Sequence, residues 1–396
     1  MRAKIVCSLV LLSLFLHAGN SWEKTGPSGE RLTVFSNNHL EVAFRQNNGW
    51  SFDDLRLTRA SRNLLAEDPA VPGMRVGWMT PAFRVTDSEL KLDGRKEQLS
   101  MVTTIAVDGH AQAHGALEMQ WLKGQTSISI HVGSEGTEIP PATLWLALDN
   151  DRIETSTLPG KSPLIQSTLA WAYPQAGQVV MIRSSDNQPA RFDAVDLGRT
   201  KVVSMSSSAD IMVHAYSGLT AVHHVQGDLV MAIEQDKTVY AIKEPVVLRI
   251  GLAAPDQRQA VTRTIEIGDI RRQVTFFCRQ AGVADWQTVE LAGLPEDGEY
   301  PLKIDGNPAS ITITVNDAVV SAWKTVSQEV SEIQSLLQRT AHAEAPVYTA
   351  MFNARLQQQQ LLARQDLEKA VAGMNLLVAD GKRWYQSCTS ASSSGK

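Results

Sequence analysis

The chain has 396 residues, 43% hydrophobic and 20% charged, with 37 Lys and Arg against 42 Asp and Glu and a formal net charge of −5. That composition suits a folded globular core. No basic run exceeds two residues (Arg271-Arg272, Lys382-Arg383), which argues against a nucleic-acid partner and against a polybasic membrane patch, since both need concentrated Lys and Arg.

The chain opens on Arg2 and Lys4, then an apolar run from Ile5 to Leu16, then a small-residue exit through Gly19 and Ser21. This reads as a secretory signal peptide over residues 1–21, too short for the ~20 apolar residues of a membrane span. The expected mature protein starts at Trp22, is periplasmic or secreted, and keeps no integral membrane segment after cleavage. Its 375 residues carry 35 basic and 42 acidic side chains, a formal charge of −7. Cys7 leaves with the signal, so Cys278 and Cys388 remain. In an exported chain the pair invites a disulfide, which would close 109 intervening residues for about 4–5 kcal/mol of chain entropy. The other reading makes Cys278, in Val274–Cys278, a buried thiol and Cys388 a loose one.

From about residue 31 to 315 short period-2 alternation dominates, broken by turn residues, and predicts strands. Leu40, Val42 and Phe44 share one face; Ile128, Ile130 and Val132 alternate with Ser127, Ser129 and His131; Leu144, Leu146 and Leu148 alternate with Trp145 and Ala147. Similar runs lie at 83–92, 98–107, 116–121, 178–183, 210–216, 228–234, 246–252, 262–267 and 273–278. Asn48-Gly49, Asp93-Gly94, Asp108-Gly109, Gln226-Gly227-Asp228 and Asp297-Gly298 punctuate them. Strands spaced 8–14 residues apart with no helical period between them predict a mainly β protein, a large antiparallel two-sheet sandwich over residues 22–284.

A small β appendage is expected over 285–318, with a hairpin from Gly298 to Gly306 followed by Ile311, Ile313 and Val315 in alternation. The period then changes. Trp323, Val326, Val330, Ile333 and Leu337 are spaced 3, 4, 3 and 4, and after Ala345-Pro346 a second stripe runs Phe352, Leu356, Gln359, Ala363, Leu367, Ala370, Met374 and Leu377. These spacings predict a C-terminal α-helical hairpin over 319–381, ended by Gly381, and a disordered tail over 382–396.

At the mature N-terminus, Leu32-Thr33-Val34-Phe35-Ser36-Asn37-Asn38-His39-Leu40-Glu41-Val42-Ala43-Phe44 is followed by Gly49-Trp50, Leu55 and Asn63-Leu64-Leu65. The stretch from 31 to 65 resembles the opening of the galactose mutarotase-like β-supersandwich superfamily. The resemblance implies a carbohydrate-handling supersandwich reaching to about residue 280. Sugar epimerases, polysaccharide lyases and accessory domains of glycoside hydrolases share such folds, so the fold does not select among functions. The histidine and glutamate motifs of the mutarotases are not reproduced, and no catalytic role carries over.

Among residues able to do chemistry, His214 and Tyr216 sit two apart on one face of a strand, an imidazole and a phenol usable as an acid/base pair. Glu234 shares a strand face with Ala232, where burial would turn it toward a general base. The competing reading of His214 and Glu234 is a solvent-facing strand position. Trp145, Trp171 and Tyr173 are the candidate ligand platform, because sugar C–H faces stack on rings; the alternative is sheet packing. No metal site is expected: adjacent His223 and His224 point to opposite faces of a strand, and His110 and His114 lie among turn residues. The Ser204–Ser208 run lacks a G-x-S-x-G context, phosphate-binding loops are absent, and no cofactor is implied.

Two functions fit. One is an exported carbohydrate-binding protein, with or without an epimerase- or lyase-like activity; the other is a non-enzymatic cell-envelope scaffold or adaptor acting through its helical hairpin. The expected partner is accordingly a carbohydrate ligand or an envelope protein.

Overall fold

A computed structural model describes residues 20–25, 31–36, 39–46, 50–57, 64–65, 74–77, 83–93, 98–107, 110–121, 124–135, 142–153, 164–185, 189–207, 210–258 and 260–393. The expected signal segment lies outside them apart from Asn20 and Ser21, and so do residues 394–396. The chain divides into two compact units. The first takes residues up to 233 with 250–261 and 275–287; the second takes 234–249, 262–274 and 288–396.

Two large antiparallel sheets make the sandwich of the first unit. One runs, in order, Asn20–Thr25, Arg31–Ser36, Leu40–Gln46, Trp50–Leu57, Met74–Gly77, Ala142–Asp149, Thr200–Ser207, Ala190–Leu197 and Leu164–Gln166. The other runs Thr168–Tyr173, Gln178–Ser184, Ile211–Ser217, Ser127–Glu135, His110–Trp121, Gln98–Val107 and Phe83–Asp93. Alternate residues of both sheets fill one core: Leu40, Val42, Leu55, Leu144, Leu146, Leu148, Phe192, Val203 and Met205 from the first meet Ile128, Ile130, Leu169, Trp171, Val180, Ile182 and Val213 from the second. Each fully buried Leu, Ile, Val or Phe there is worth about 1.5–3 kcal/mol over leaving it in water.

The second large sheet is also covered on its other face. Ala170, Ala172, Val179, Met181 and Tyr216 pack with Leu219, Val222, Val230, Ala232 and Ala253. The last three belong to strands of a four-stranded sheet made of His224–Gln226, Leu229–Gln235, Val246–Ala253 and Asp285–Leu291. Burial on both faces explains why Thr168–Tyr173, Gln178–Ser184 and Ile211–Ser217 are apolar almost throughout, where a one-sided strand would alternate.

The predicted runs between 83 and 276 become strands, with two differences. His110 and His114 lie inside the strand His110–Trp121, not in a turn, and Ser204–Ser207 belongs to Thr200–Ser207, where Val203 and Met205 enter the core while Ser204 and Ser206 face away.

A five-stranded sheet, in the second unit but for Val261 and residues 275–276, runs Val239–Tyr240, Asn307–Val315, Gly298–Ile304, Val261–Ile267 and Ile270–Phe276. Its central hairpin is longer than the one expected within 298–306: Gly298–Ile304 pairs with Asn307–Val315, closed by Asp305 and Gly306, both with positive φ (51° and 82°), as a tight two-residue turn requires. The boundary expected at 285 therefore differs, because strands before and after it pair in one sheet, and period-2 alternation carries no information on pairing.

Three helices follow, not two. α1, Asp317–Arg339, starts where the Asn316 side chain accepts the Val319 N–H at 3.1 Å. α2 is Ala345–Leu362 and α3 is Leu367–Ser393. The long apolar stripe from Phe352 to Leu377 is split because Asp366 turns its carboxylate onto the Lys369 N–H at 3.0 Å and restarts the helix. Val326, Val330, Ile333, Leu337, Phe352, Met374, Leu377 and Val378 form the bundle core.

Gly381 does not end α3, which continues to Ser393 across most of the stretch expected to be a disordered tail. The glycine is a point of close approach: a Cβ there would lie 2.6 Å from Ile333 Cγ2 and 2.7 Å from Phe352 Cε2. An exposed helical Gly→Ala gains about 1 kcal/mol, but overpacking a core costs about 1–3. Gly381→Ala is therefore expected to destabilise the protein by about 1–2 kcal/mol, reversing the usual sign. A urea midpoint equal to or above wild type would contradict this packing.

Cys278 and Cys388 are both buried free thiols, so the expected disulfide is not formed here, and Cys388 lies within α3 at 0% exposure, not loose. No helix among the described residues is long and apolar enough to cross a membrane.

Candidate functional site

The structure brings His214 and Tyr216 together but removes both from solvent. They share a strand face as expected and stack with ring centroids 6.2 Å apart, yet they are 1% and 0% exposed. Arg183 Nε donates to His214 Nε2 at 3.3 Å, so the ring's proton sits on Nδ1, which faces Ser127 Oγ at 2.7 Å. Burial, and then the Arg183 charge, press the imidazole pKa down to about 3, so the ring is neutral at ordinary pH. With Nδ1 already protonated it cannot take a proton from Ser127, and the trio is a buried polar tie, not an acid/base device. Tyr216 donates to the Asp228 carbonyl at 2.7 Å, and burial holds its phenol well above its ordinary pKa.

Glu234 falls in the second unit, 42% exposed and ion-paired with Arg249 at 3.1 Å, so the burial that would have made it a base is missing. Trp171 and Tyr173 lie in the sandwich core at 0% and 1% exposure. Tyr173 donates to the Leu64 carbonyl, and Arg152 stands 5.6 Å over its ring. Neither ring is a ligand platform. Trp145 alone of the three is only half-buried, opposite Ser204 in register on the face turned from Leu144, Leu146 and Leu148. Among the described residues no cluster of His, Cys, Asp or Glu is placed to hold a metal, and His223 Nδ1 accepts the Ile233 N–H instead.

Residues that the sequence did not single out make a cleft in the first unit. Its volume is about 300 Å³, at the lower end of the roughly 300–1,000 Å³ of small-ligand sites, and it is lined by His39, Leu57, Gly124, Thr126, Ser217, Gln257, Arg279, Gln280, Ala281 and Val283. His39 and Leu57 come from the N-terminal hairpins, and the wall 279–283 follows the end of the strand Ile270–Phe276.

That wall is held by backbone bonds to rigid elements. Gly282 donates to the Ala254 carbonyl at 2.8 Å, and its own carbonyl takes the Ser217 N–H at 2.7 Å and Ser217 Oγ at 3.2 Å. Val283 closes a turn on the Gln280 carbonyl, and Ala284 donates to Ser217. Gly282 has φ +68°, and a Cβ there would meet Thr126 at 2.5 Å, so only glycine lets the wall sit against Thr126. Thr126 is itself pinned through its N–H to the Pro255 carbonyl at 2.8 Å. A fixed wall spares the ordering cost that a mobile loop incurs on binding a ligand. The only hint in the sequence was an Arg-Gln-Ala-Gly turn after an apolar strand, which many surface turns share.

No family model matches the sequence, and no curated protein matches it. Solved structures to which the chain is similar include a 4-α-glucanotransferase from Thermococcus litoralis (10% identity, 50% of this chain and 39% of that one, TM-score 0.33). An α-galactosidase from Geobacillus stearothermophilus is similar over 53% of this chain and 45% of its own, with 10% identity and TM-score 0.32. A heparan sulfate lyase from Pedobacter heparinus matches over 66% and 42%, with 9% identity and TM-score 0.27. The chain spans less than half the length of each, and their activities stay with them.

Proposed function

We propose that this is an exported carbohydrate-binding protein whose sandwich unit takes a sugar in the cleft between His39, Gln257 and the 279–283 wall. The observation that carries the reading is a preformed cleft whose lining mixes hydrogen-bond donors and acceptors with apolar patches. His39, Gln257 and Gln280 can serve both the donor and the acceptor side of sugar hydroxyls, while Leu57, Ala281 and Val283 offer contact to C–H faces. Export rests on the signal peptide read in residues 1–21. The role is binding, with no turnover assigned.

Purified protein from Trp22 onward is expected to bind one class of glycan reproducibly on a broad array, and Gln257→Ala, an exposed position, to weaken that binding about tenfold, the scale of one lost hydrogen bond to a ligand. A blank array from a well-folded sample rejects the reading. Weight then passes to the envelope adaptor, which one observation favours. α2 carries Val347, Met351 and Leu361 on its outside at 59%, 47% and 56% exposure, besides the inner residues Tyr348, Phe352 and Leu356.

A further inference from the structure

We infer that the ligand of this cleft is an acidic saccharide, bearing a carboxylate or sulfate group that Arg279 grips. The inference rests on the sugar-binding reading above and adds the charge of the ligand to it.

Two arginines flank the wall segment, and their surroundings differ. Arg258, whose N–H meets the Cys278 carbonyl at 2.9 Å, is neutralised: its Nε lies 2.7 Å from Asp256 Oδ1 and its Nη2 pairs with Asp228. Arg279, which lines the cleft, is exposed and enters no ion pair among the described residues. The described lining contains this guanidinium, one imidazole and no carboxylate. A neutral hydroxyl-rich ligand would be served by the side-chain amides of Gln257 and Gln280 and the imidazole already there. The unpaired cation adds a planar five-donor fork, which matches the two oxygens of a carboxylate or sulfate.

The backbone under Arg279 supports the same use. Its N–H is spent on the Phe277 carbonyl at 2.7 Å, and the next residues are locked by the Gly282 contacts to Ala254, Ser217 and Thr126. The base of the side chain is thus set by the fold, leaving only the side chain to order on binding. At a surface of this exposure the attraction is screened by salt, which makes ionic strength a direct probe.

The test titrates mature wild-type and Arg279→Gln protein with trigalacturonate, with a sulfated disaccharide carrying no uronate, and with maltotriose, at low and high NaCl. Wild type is expected to bind one acidic probe at least tenfold more tightly than maltotriose, and to lose that preference in high salt. Arg279→Gln is expected to bring the acidic probe down to the neutral level, while Gln257→Ala weakens acidic and neutral probes alike. The two acidic arms tell a carboxylate from a sulfate. Equal binding of maltotriose with Arg279→Gln unchanged would overturn the acidic reading and leave a neutral sugar site in the cleft. No binding of any probe, together with a blank array, would remove both.

Discussion

Trp171→Ala lowers the stability of the protein by about 3–5 kcal/mol, the usual cost of emptying the site of a fully buried large aromatic. Trp171 is 0% exposed in the core between the two large sheets, in contact range of a cluster that includes Leu169, Tyr173, Val180 and Ile182. The expected result is a urea midpoint displaced far to lower concentration, with any glycan binding that survives at low denaturant unchanged in affinity. Folded protein of normal stability that had lost its sugar would restore the ring as a ligand platform and reject its placement in the core.

Acid is expected to cost this protein stability through one buried residue. His214 holds a pKa of about 3 in the folded state because burial and Arg183 oppose its charge, against about 6.5 in an unfolded chain. Between those two values the unfolded state binds a proton that the folded state refuses. Stability is thus fully present above pH 6.5, falls by up to about 1.4 kcal/mol per pH unit as pH drops toward 3, and is flat in this group below that. Over the window the loss is on the order of 4–5 kcal/mol, a large share of the roughly 5–15 kcal/mol that holds a domain folded. His214→Gln gives up part of the tie to Ser127 and Arg183 at neutral pH, yet it cannot take up the proton. Urea midpoints for wild type and His214→Gln at pH 7, 5.5 and 4.5 should converge as the pH falls, the variant losing less. Curves that stay parallel would mean that His214 is hydrated or free to turn outward. The carboxylates titrate in both proteins and cancel in the comparison.

These two residues show how much of the site could be read from the chain. His214 and Tyr216 were placed on one strand face by their spacing, and they do share it. Whether that face met water or another sheet depended on the strand Leu229–Gln235 and its neighbours coming to lie over it, which no residue of Ile211–Ser217 encodes. The almost unbroken apolar character of that strand was the available sign of two-sided burial. Trp171 and Tyr173 carried the same sign, inside Thr168–Tyr173. Glu234 failed for the opposite reason: its strand is apolar up to Ile233, but the face turns outward at Glu234, where Arg249 meets it.

The cleft was not legible because its lining comes from the segments around residues 39, 57, 126, 217, 257 and 280, each unremarkable where it stands. Gly282 is one of 26 glycines, and its positive φ and the Thr126 side chain lying where its Cβ would be, both matters of tertiary structure, mark it out.

Local order was written in the sequence by itself: the strand runs, the helical stripes of Val326 to Leu337 and Phe352 to Leu377, and the mainly β character with a helical C-terminal part. Each follows from side chains acting on their own neighbours at a period of 2 or 3.6. Tertiary structure alone decided which strands pair across residue 285, which faces are buried twice, that Gly381 is a contact and not a stop, and that Arg279 beside a fixed wall has no ion pair among the described residues while Arg258 is neutralised. Those are properties of groups far apart in the chain and close in space, where packing density and charge pairing act on distance and not on sequence order.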